Sequence, residues 1–244
     1  MSDASHILSR TFIMMQSLAT QSLGEQVEIA LKEEITLGRQ KPGDSLSIGE
    51  LSRQLGTSVT PVRDAIQKLA AIGFVKVLPR KEVRVEELNK QRLSDVFEIR
   101  LALECLAVRS AVANIPAAEL ERAWTVFCQA EKAYAASGDI AELLARDSLV
   151  HDLIIDHCGN EMLVAMMQGL RDFSRWAQHT VIRCQPQAIA RALPEHKKIL
   201  AALRARSAGE AEKALQCHLR NTLQRALPYL EAAAATPLPT TRPS

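Results

Sequence analysis

The chain has 244 residues, of which 47% are hydrophobic and 24% charged, and its formal net charge is +2. That apolar share belongs to a folded globular chain, and no apolar run approaches the roughly 20 residues that a membrane-spanning helix needs. Five cysteines, Cys105, Cys128, Cys158, Cys184 and Cys217, are odd in number and widely spaced; this argues against a disulfide framework or a paired-cysteine zinc knuckle and reads as reduced core thiols.

The first dozen residues have little to bury, and they lack the basic segment, apolar block and cleavage site of an export signal. A cytoplasmic protein is expected. From Leu23 to Leu37, Val27, Ala30, Leu31 and Ile35 recur at helical spacing before Gly38 and Pro42-Gly43 stop the pattern. Ser47 to Leu55 predicts a short helix with Ile48, Leu51 and Leu55 on one face, and Gly56 supplies a tight turn. Ser58 is expected to cap the next helix through its hydroxyl. In that helix Val62, Ile66 and Leu69 face inward while Thr60, Arg63 and Gln67 stay outside, where a reader of major-groove edges carries its donors. After Gly73, the stretches Phe74 to Leu78 and Glu82 to Val85 alternate apolar and polar around Pro79-Arg80-Lys81, which predicts a two-stranded wing.

Between Arg53 and Arg84 the basic residues Arg53, Arg63, Lys68, Lys76, Arg80, Lys81 and Arg84 outnumber the acids Asp64 and Glu82. This local surplus suits a phosphate backbone, so double-stranded DNA is the expected partner. Thr60 and Arg63 are the candidates for base or adjacent phosphate contacts, and Arg53 for phosphate. Ser58 stands at the start of the same helix, and Lys76, Arg80, Lys81 and Arg84 supply the wing.

Beyond Glu86-Glu87-Leu88-Asn89, helical periodicity runs nearly to the C-terminus. Pro and Gly punctuation marks six helices, at about 90–113, 117–136, 140–158, 161–184, 194–206 and 209–230. Short connections favour antiparallel neighbours. The predicted fold is mainly α: a winged helix-turn-helix over 20–86, an all-α antiparallel bundle over 90–231, and an unstructured tail over 232–244.

Within the bundle, Asp147 and His151 lie four apart and share an inward face with Ile154, Ile155 and Cys158. His196 shares a face with Ile199, Leu200 and Leu203, and His218 one with Ala214, Leu215, Thr222 and Leu223. A carboxylate and three imidazoles in an apolar interior need partners, and one divalent cation would satisfy all four; simple Asp–His hydrogen bonds are the other reading of the same spacing. The donor set suits zinc first, with nickel, iron or manganese also fitting. His6, His157 and His179 fall off these faces and read as ordinary residues. Arg100 and Glu104, also four apart, read as an ion pair, with Arg100 as grip for an anionic ligand the sharper alternative.

Taken together these residues resemble the GntR-type transcription regulators, in the FadR-like branch that carries a C-terminal helical FCD ligand-binding domain. The resemblance covers roughly Ser22 to Leu230. It rests on Gly38 to Leu46 as the link out of the first helix, on Pro61-Val62-Arg63-Asp64-Ala65 in the recognition helix, and on Asp147 with His151, Glu195-His196 and His218-Leu219. It implies a homodimer on a roughly palindromic operator, a metal held by Asp147, His151, His196 and His218, and a small carboxylate effector. Repression is the commoner mode of such regulators. Two positions depart from the family pattern: Val59 stands where an Arg is frequent, and Lys81-Glu82 where the wing tip often has Gly. The alternatives are a metal-dependent hydrolase, in which the three His and one Asp activate water, and a regulator with a purely structural metal. Against the hydrolase, no helix carries a paired-His motif with an intervening Glu.

Overall fold

A computed structural model describes residues 22–87, 89–184 and 188–235. His6, the predicted tail beyond residue 235 and the side chains of Lys81 and Cys184 lie outside what it describes. The chain divides between residues 88 and 89 into two compact units.

The first unit begins where Ser22 can cap. Its hydroxyl accepts from the backbone N–H of Glu25 at 3.3 Å, and its own N–H donates back to the Glu25 carboxylate at 2.8 Å. This reciprocal box starts α1 (Leu23–Thr36). Replacing Ser22 with Ala is expected to cost about 1 kcal/mol, read as a lower urea midpoint with an unchanged slope. The helix lays Val27, Leu31 and Ile35 against α3 (Val59–Ile72), whose Val62, Ile66 and Leu69 are likewise buried. Between them α2 (Ile48–Gln54) ends at Gly56, whose φ of +61° makes the tight turn that residues with a Cβ resist. Ser58 stands at the N-cap of α3 as expected but makes no side-chain capping bond there. It is exposed, so water can serve both its hydroxyl and the open N–H groups of the first turn.

The wing is β1 (Val75–Val77) paired antiparallel with β2 (Val83–Val85), with Lys76 opposite Arg84. A third, unforeseen edge forms where Leu46 N–H donates to Val83 O at 2.8 Å and Val85 N–H to Asp44 O at 2.9 Å. With Gly43 N–H to Val85 O at 3.0 Å, three bonds over so short a stretch leave no alternating pattern to read. At the tip, Arg80 takes a φ of 65° inside a single 3-10 turn, Pro79–Lys81. The chain thus adopts, without glycine, the left-handed conformation for which glycine is the usual solution.

The second unit consists, among the described residues, of α4 (Lys90–Asn114), α5 (Ala117–Ser137), α6 (Ala141–Arg146), α7 (Leu149–Asp156), α8 (Glu161–Cys184), α9 (Ala188–Arg204) and α10 (Ala208–Ala235). The last helix, α10, packs mainly on α4 and α9, while α5 packs on α9 and α7 on α4. No helix of either unit is long and apolar enough to cross a membrane among the described residues.

Four expectations are corrected here. The predicted helix over 140–158 is two helices. Asp147 N–H reaches only Leu144 O at 3.5 Å, and the regular pattern restarts with Asp152 N–H to Ser148 O at 2.8 Å. Asp147 and Ser148, both weak in helix interiors because their side chains compete for backbone groups, meet at this break. The helix expected to open at Pro194 starts at Ala188; burial of Ala188, Ile189, Ala192 and Leu193 outweighs the roughly 3 kcal/mol that an interior proline costs. The last helix passes exposed Pro228 and runs to Ala235, into the predicted tail. Of the thiols, Cys105 and Cys158 are buried and Cys217 is exposed, so the core reading fails for Cys217.

Candidate functional site

Four helices of the second unit contribute to one buried polar cluster. Helix α7 supplies His151, α9 supplies His196 and Glu195, α10 supplies His218, and α4 supplies Arg100 and Glu104. One nitrogen from each of the three histidines lies within 4.8 Å of the others, and all three rings are buried. Asp147 stands at their edge, its Oδ1 3.8 Å from His196 Nδ1, in the turn between α6 and α7 rather than on one helix with His151.

The carboxylates around the rings fix which nitrogen carries the proton. Glu104 is wholly buried, which by itself raises an acid, yet Arg100 and His151 outweigh this and hold it down at about 2. Burial likewise opposes ionisation of Glu195, and its bonds from Arg225, His218 and Asn221 bring it to about 2. Both are therefore ionised and can only accept. His151 must donate from Nδ1 to Glu104 Oε2 at 2.5 Å, and His218 from Nδ1 to Glu195 Oε2 at 2.9 Å.

The consequence falls on the opposite side of each ring. His151 Nε2 and His218 Nε2 are 3.2 Å apart. Each of these nitrogens is turned away from its ring's carboxylate and toward the other, so one cation between them would take both lone pairs. Nitrogens about 2.0–2.1 Å from one ion have separations of this size. His196 adds a buried Nε2 with no hydrogen-bond partner, the kind of orphan that costs about 1–3 kcal/mol. Burial, then the neighbouring His218 and His151, hold the His196 pKa well below its ordinary value, and burial brings His218 down to about 4. Neutral imidazoles braced by carboxylates are good metal ligands, so the donor set fits a divalent ion.

A small cleft opens beside the cluster, about 210 Å³ of empty space counted out into open solvent, lined by Phe127, Ala130, Leu143, Ile189 and Leu193, with Arg146, Asp147 and His196 as its polar members. Arg100 is not placed there. It donates to Glu104 Oε1 at 2.7 Å and is 7% exposed, so the ion-pair reading is the one the structure draws. Arg146 is the arginine in the pocket lining. Asn221 and Arg225 were not anticipated as members of the cluster, nor Glu104 and Glu195 as the partners of its ring N–H groups. The signal available in the sequence was that Arg100 and Glu104 are the only charges in an otherwise apolar window of α4.

In the first unit, Thr60, Arg63 and Gln67 are exposed along α3, as is Arg80 at the wing tip. Other predicted contacts are tied to carboxylates: Arg53 to Glu50, Lys76 Nζ to Glu86 at 3.3 Å, and Arg84 Nε to Glu82 at 2.7 Å. These exposed pairs are weak enough for a phosphate to replace. Lys68, outside the predicted set, pairs with Glu28 at 3.3 Å.

Comparison with known proteins gives this architecture its relatives. The chain matches the family model for bacterial regulatory proteins of the gntR family over residues 23–85 and the FCD domain over residues 95–221. It is 33% identical over 152 residues to the HTH-type transcriptional regulator McbR of Escherichia coli, spanning 61% of this chain and 67% of that protein. It is 27% identical over 198 residues to the E. coli HTH-type transcriptional repressor GlaR, spanning 78% and 89% respectively. The solved structure of E. coli McbR/YncC superposes with a TM-score of 0.71 at 26% identity, covering 88% of this chain and all of that one. A GntR regulator from Rhodococcus sp. RHA1 shares the fold at 20% identity with a TM-score of 0.70, over 85% of this chain and 99% of its own. The chain belongs to the GntR family and is a ligand-responsive, DNA-binding transcriptional regulator with an FCD domain.

Proposed function

We propose that the protein is a cytoplasmic, homodimeric repressor that binds a divalent metal, zinc by its donor set, through Asp147, His151, His196 and His218 and senses a small carboxylate in the pocket beside it. The observation that carries this reading is that Asp147 and His196 belong both to the cluster and to the pocket lining. An acid entering the pocket therefore meets two of the four ligand residues at once. The metal, when bound, supplies a Lewis-acidic site for a ligand oxygen. The protein's own groups do the rest: Glu104 and Glu195 fix the ring tautomers, and Phe127, Leu143 and Ile189 give the acid an apolar enclosure.

The test is a thermal-shift and gel-shift series with small mono- and dicarboxylates on metal-loaded and chelated protein. An acid that raises Tm and lowers affinity for a selected genomic fragment only in the loaded protein supports sensing through the metal. Equal responses with and without metal overturn it, and loss of stability alone on chelation assigns the ion a structural role.

On the DNA side we propose that Arg63 and Thr60 contact bases or adjacent phosphates, that Arg53, Lys76 and Arg84 hold phosphate on release from their carboxylates, and that Arg80 and Lys81 reach the backbone from the wing, with Ser58 at the helix start. Replacing Arg63 with Ala is expected to weaken specific binding by about 1–3 kcal/mol while changing affinity for random duplex much less. Equal losses on both duplexes would make Arg63 a phosphate contact.

A further inference from the structure

Along the outer side of α3, the exposed residues Val59, Arg63 and Gln67 follow one another at a spacing of four. The core side of the helix is filled by Val62, Ala65, Ile66 and Leu69. Helix α1 lies against its Pro61 and Asp64 edge, where a Cβ on Gly24 would stand 3.8 Å from Pro61 O and from Asp64 Cβ. Arg63 and Gln67 carry donors on long side chains, whereas the head of the row is apolar.

Val59 is 38% exposed, while Val62, Ile66 and Leu69 are at most 2% exposed. A β-branched residue serves the first position of a helix poorly, since Pro, Asp and Glu are the residues favoured there. A single exposed valine on a protein surface means little by itself. Here its place gives it meaning, because the N-terminal residues of the second helix of a helix-turn-helix are the ones that meet base edges. The first turn of α3 carries no acid, and Ser58 leaves its N–H groups uncapped, so nothing at this end repels a phosphate backbone.

The chemistry of the side chain selects its partner. In the major groove guanine offers two acceptors, adenine an acceptor and a donor, cytosine a donor, and thymine an acceptor beside a C5 methyl. Valine has neither donor nor acceptor, so against guanine, adenine or cytosine it strips water from polar edges and pairs with none of them. The thymine methyl is the group that it matches. Its branched side chain keeps one χ1 rotamer in a helix, so little freedom is lost on contact.

We propose that Val59 is a specificity-determining residue that packs on the C5 methyl of a thymine, so that each half-site of the operator carries a T·A pair where the start of α3 enters the groove. This rests on the assignment of α3 to base contact above and names one base that it reads. The test uses the full chain and the tightest duplex that it selects from a random-sequence library. Replacing each thymine of that duplex in turn by uracil removes a methyl group and alters no hydrogen bond. At one position per half-site this replacement is expected to weaken binding about fourfold, the worth of one buried carbon group. Val59→Ala, with an unchanged helical spectrum, is expected to bind the thymine and uracil duplexes alike. Val59→Arg is expected to prefer G·C at that position, where guanine presents O6 and N7. Two results overturn the proposal and leave α3 as the reader: no thymine responds to loss of its methyl although Arg63→Ala still weakens binding to the selected duplex, or the response is the same in Val59→Ala as in the parent. If Arg63→Ala is silent as well, the reading of α3 fails with it.

Discussion

Replacing His151 with Ala is expected to abolish stable metal binding, with metal content after dialysis against a chelator falling from about one ion per chain toward zero. His151 is the ring whose Nε2 faces His218 Nε2 at 3.2 Å and whose Nδ1 is braced by Glu104, so its loss removes a ligand that its carboxylate holds in place. The effect on stability follows from linkage: an ion present at about a thousand times its Kd adds about 4 kcal/mol to the wild type, and the variant forgoes that gain. Titrating metal into both proteins and following urea unfolding separates the two outcomes. An equal metal-dependent gain in each would remove His151 from the site.

The same experiment has a pH signature. In the metal-free protein, burial pushes the Asp147 carboxyl up to about 6, with His151 and Arg100 only partly offsetting it. A folded-state pKa above the unfolded value of about 4 means that the contribution of Asp147 to stability is complete below about pH 4 and is lost as pH rises through about 6. Bound metal favours the ionised form and reverses this slope. Stability curves of chelated and loaded protein are therefore expected to diverge between about pH 4 and 7.

Removing Glu104 is the second large effect. Glu104→Ala is expected to cost about 3–5 kcal/mol, because it leaves the Arg100 guanidinium buried without its counter-ion. The ion pair with Arg100 and the brace on His151 disappear together, so the variant should also bind metal more weakly. The double variant Arg100→Met with Glu104→Leu distinguishes these contributions. It replaces a buried pair by apolar groups of similar volume and is expected to recover most of the stability. Metal affinity stays lowered, by about 10- to 100-fold, because no carboxylate orients the His151 ring. A double variant as unstable as the single one would show that the pair is not the source of the cost.

These expectations show where sequence reading reaches and where it stops. Val62, Ile66 and Leu69 were legible because α3 has one dry face, and helical periodicity reports that directly. The same logic brought His196 and His218 inward. Asp147 was placed on the correct side of the chain for the wrong reason, since spacing of four implies a shared face only in an unbroken helix. The braces were not legible: Glu104 is 47 residues from His151, and Glu195 is 23 from His218, so their pairing depends on how helices pack and not on any local pattern.

The interruption at Asp147–Ser148 has a mechanical meaning. A carboxylate within a long rigid helix can approach a neighbour only if the whole rod bends, whereas Asp147 sits at a joint between α6 and α7. The six-residue strut on one side of that joint carries Leu143 and Arg146, part of the enclosure's wall. On the sensing reading proposed above, a guest that draws on Asp147 draws also on this strut, which packs against α5 and α9.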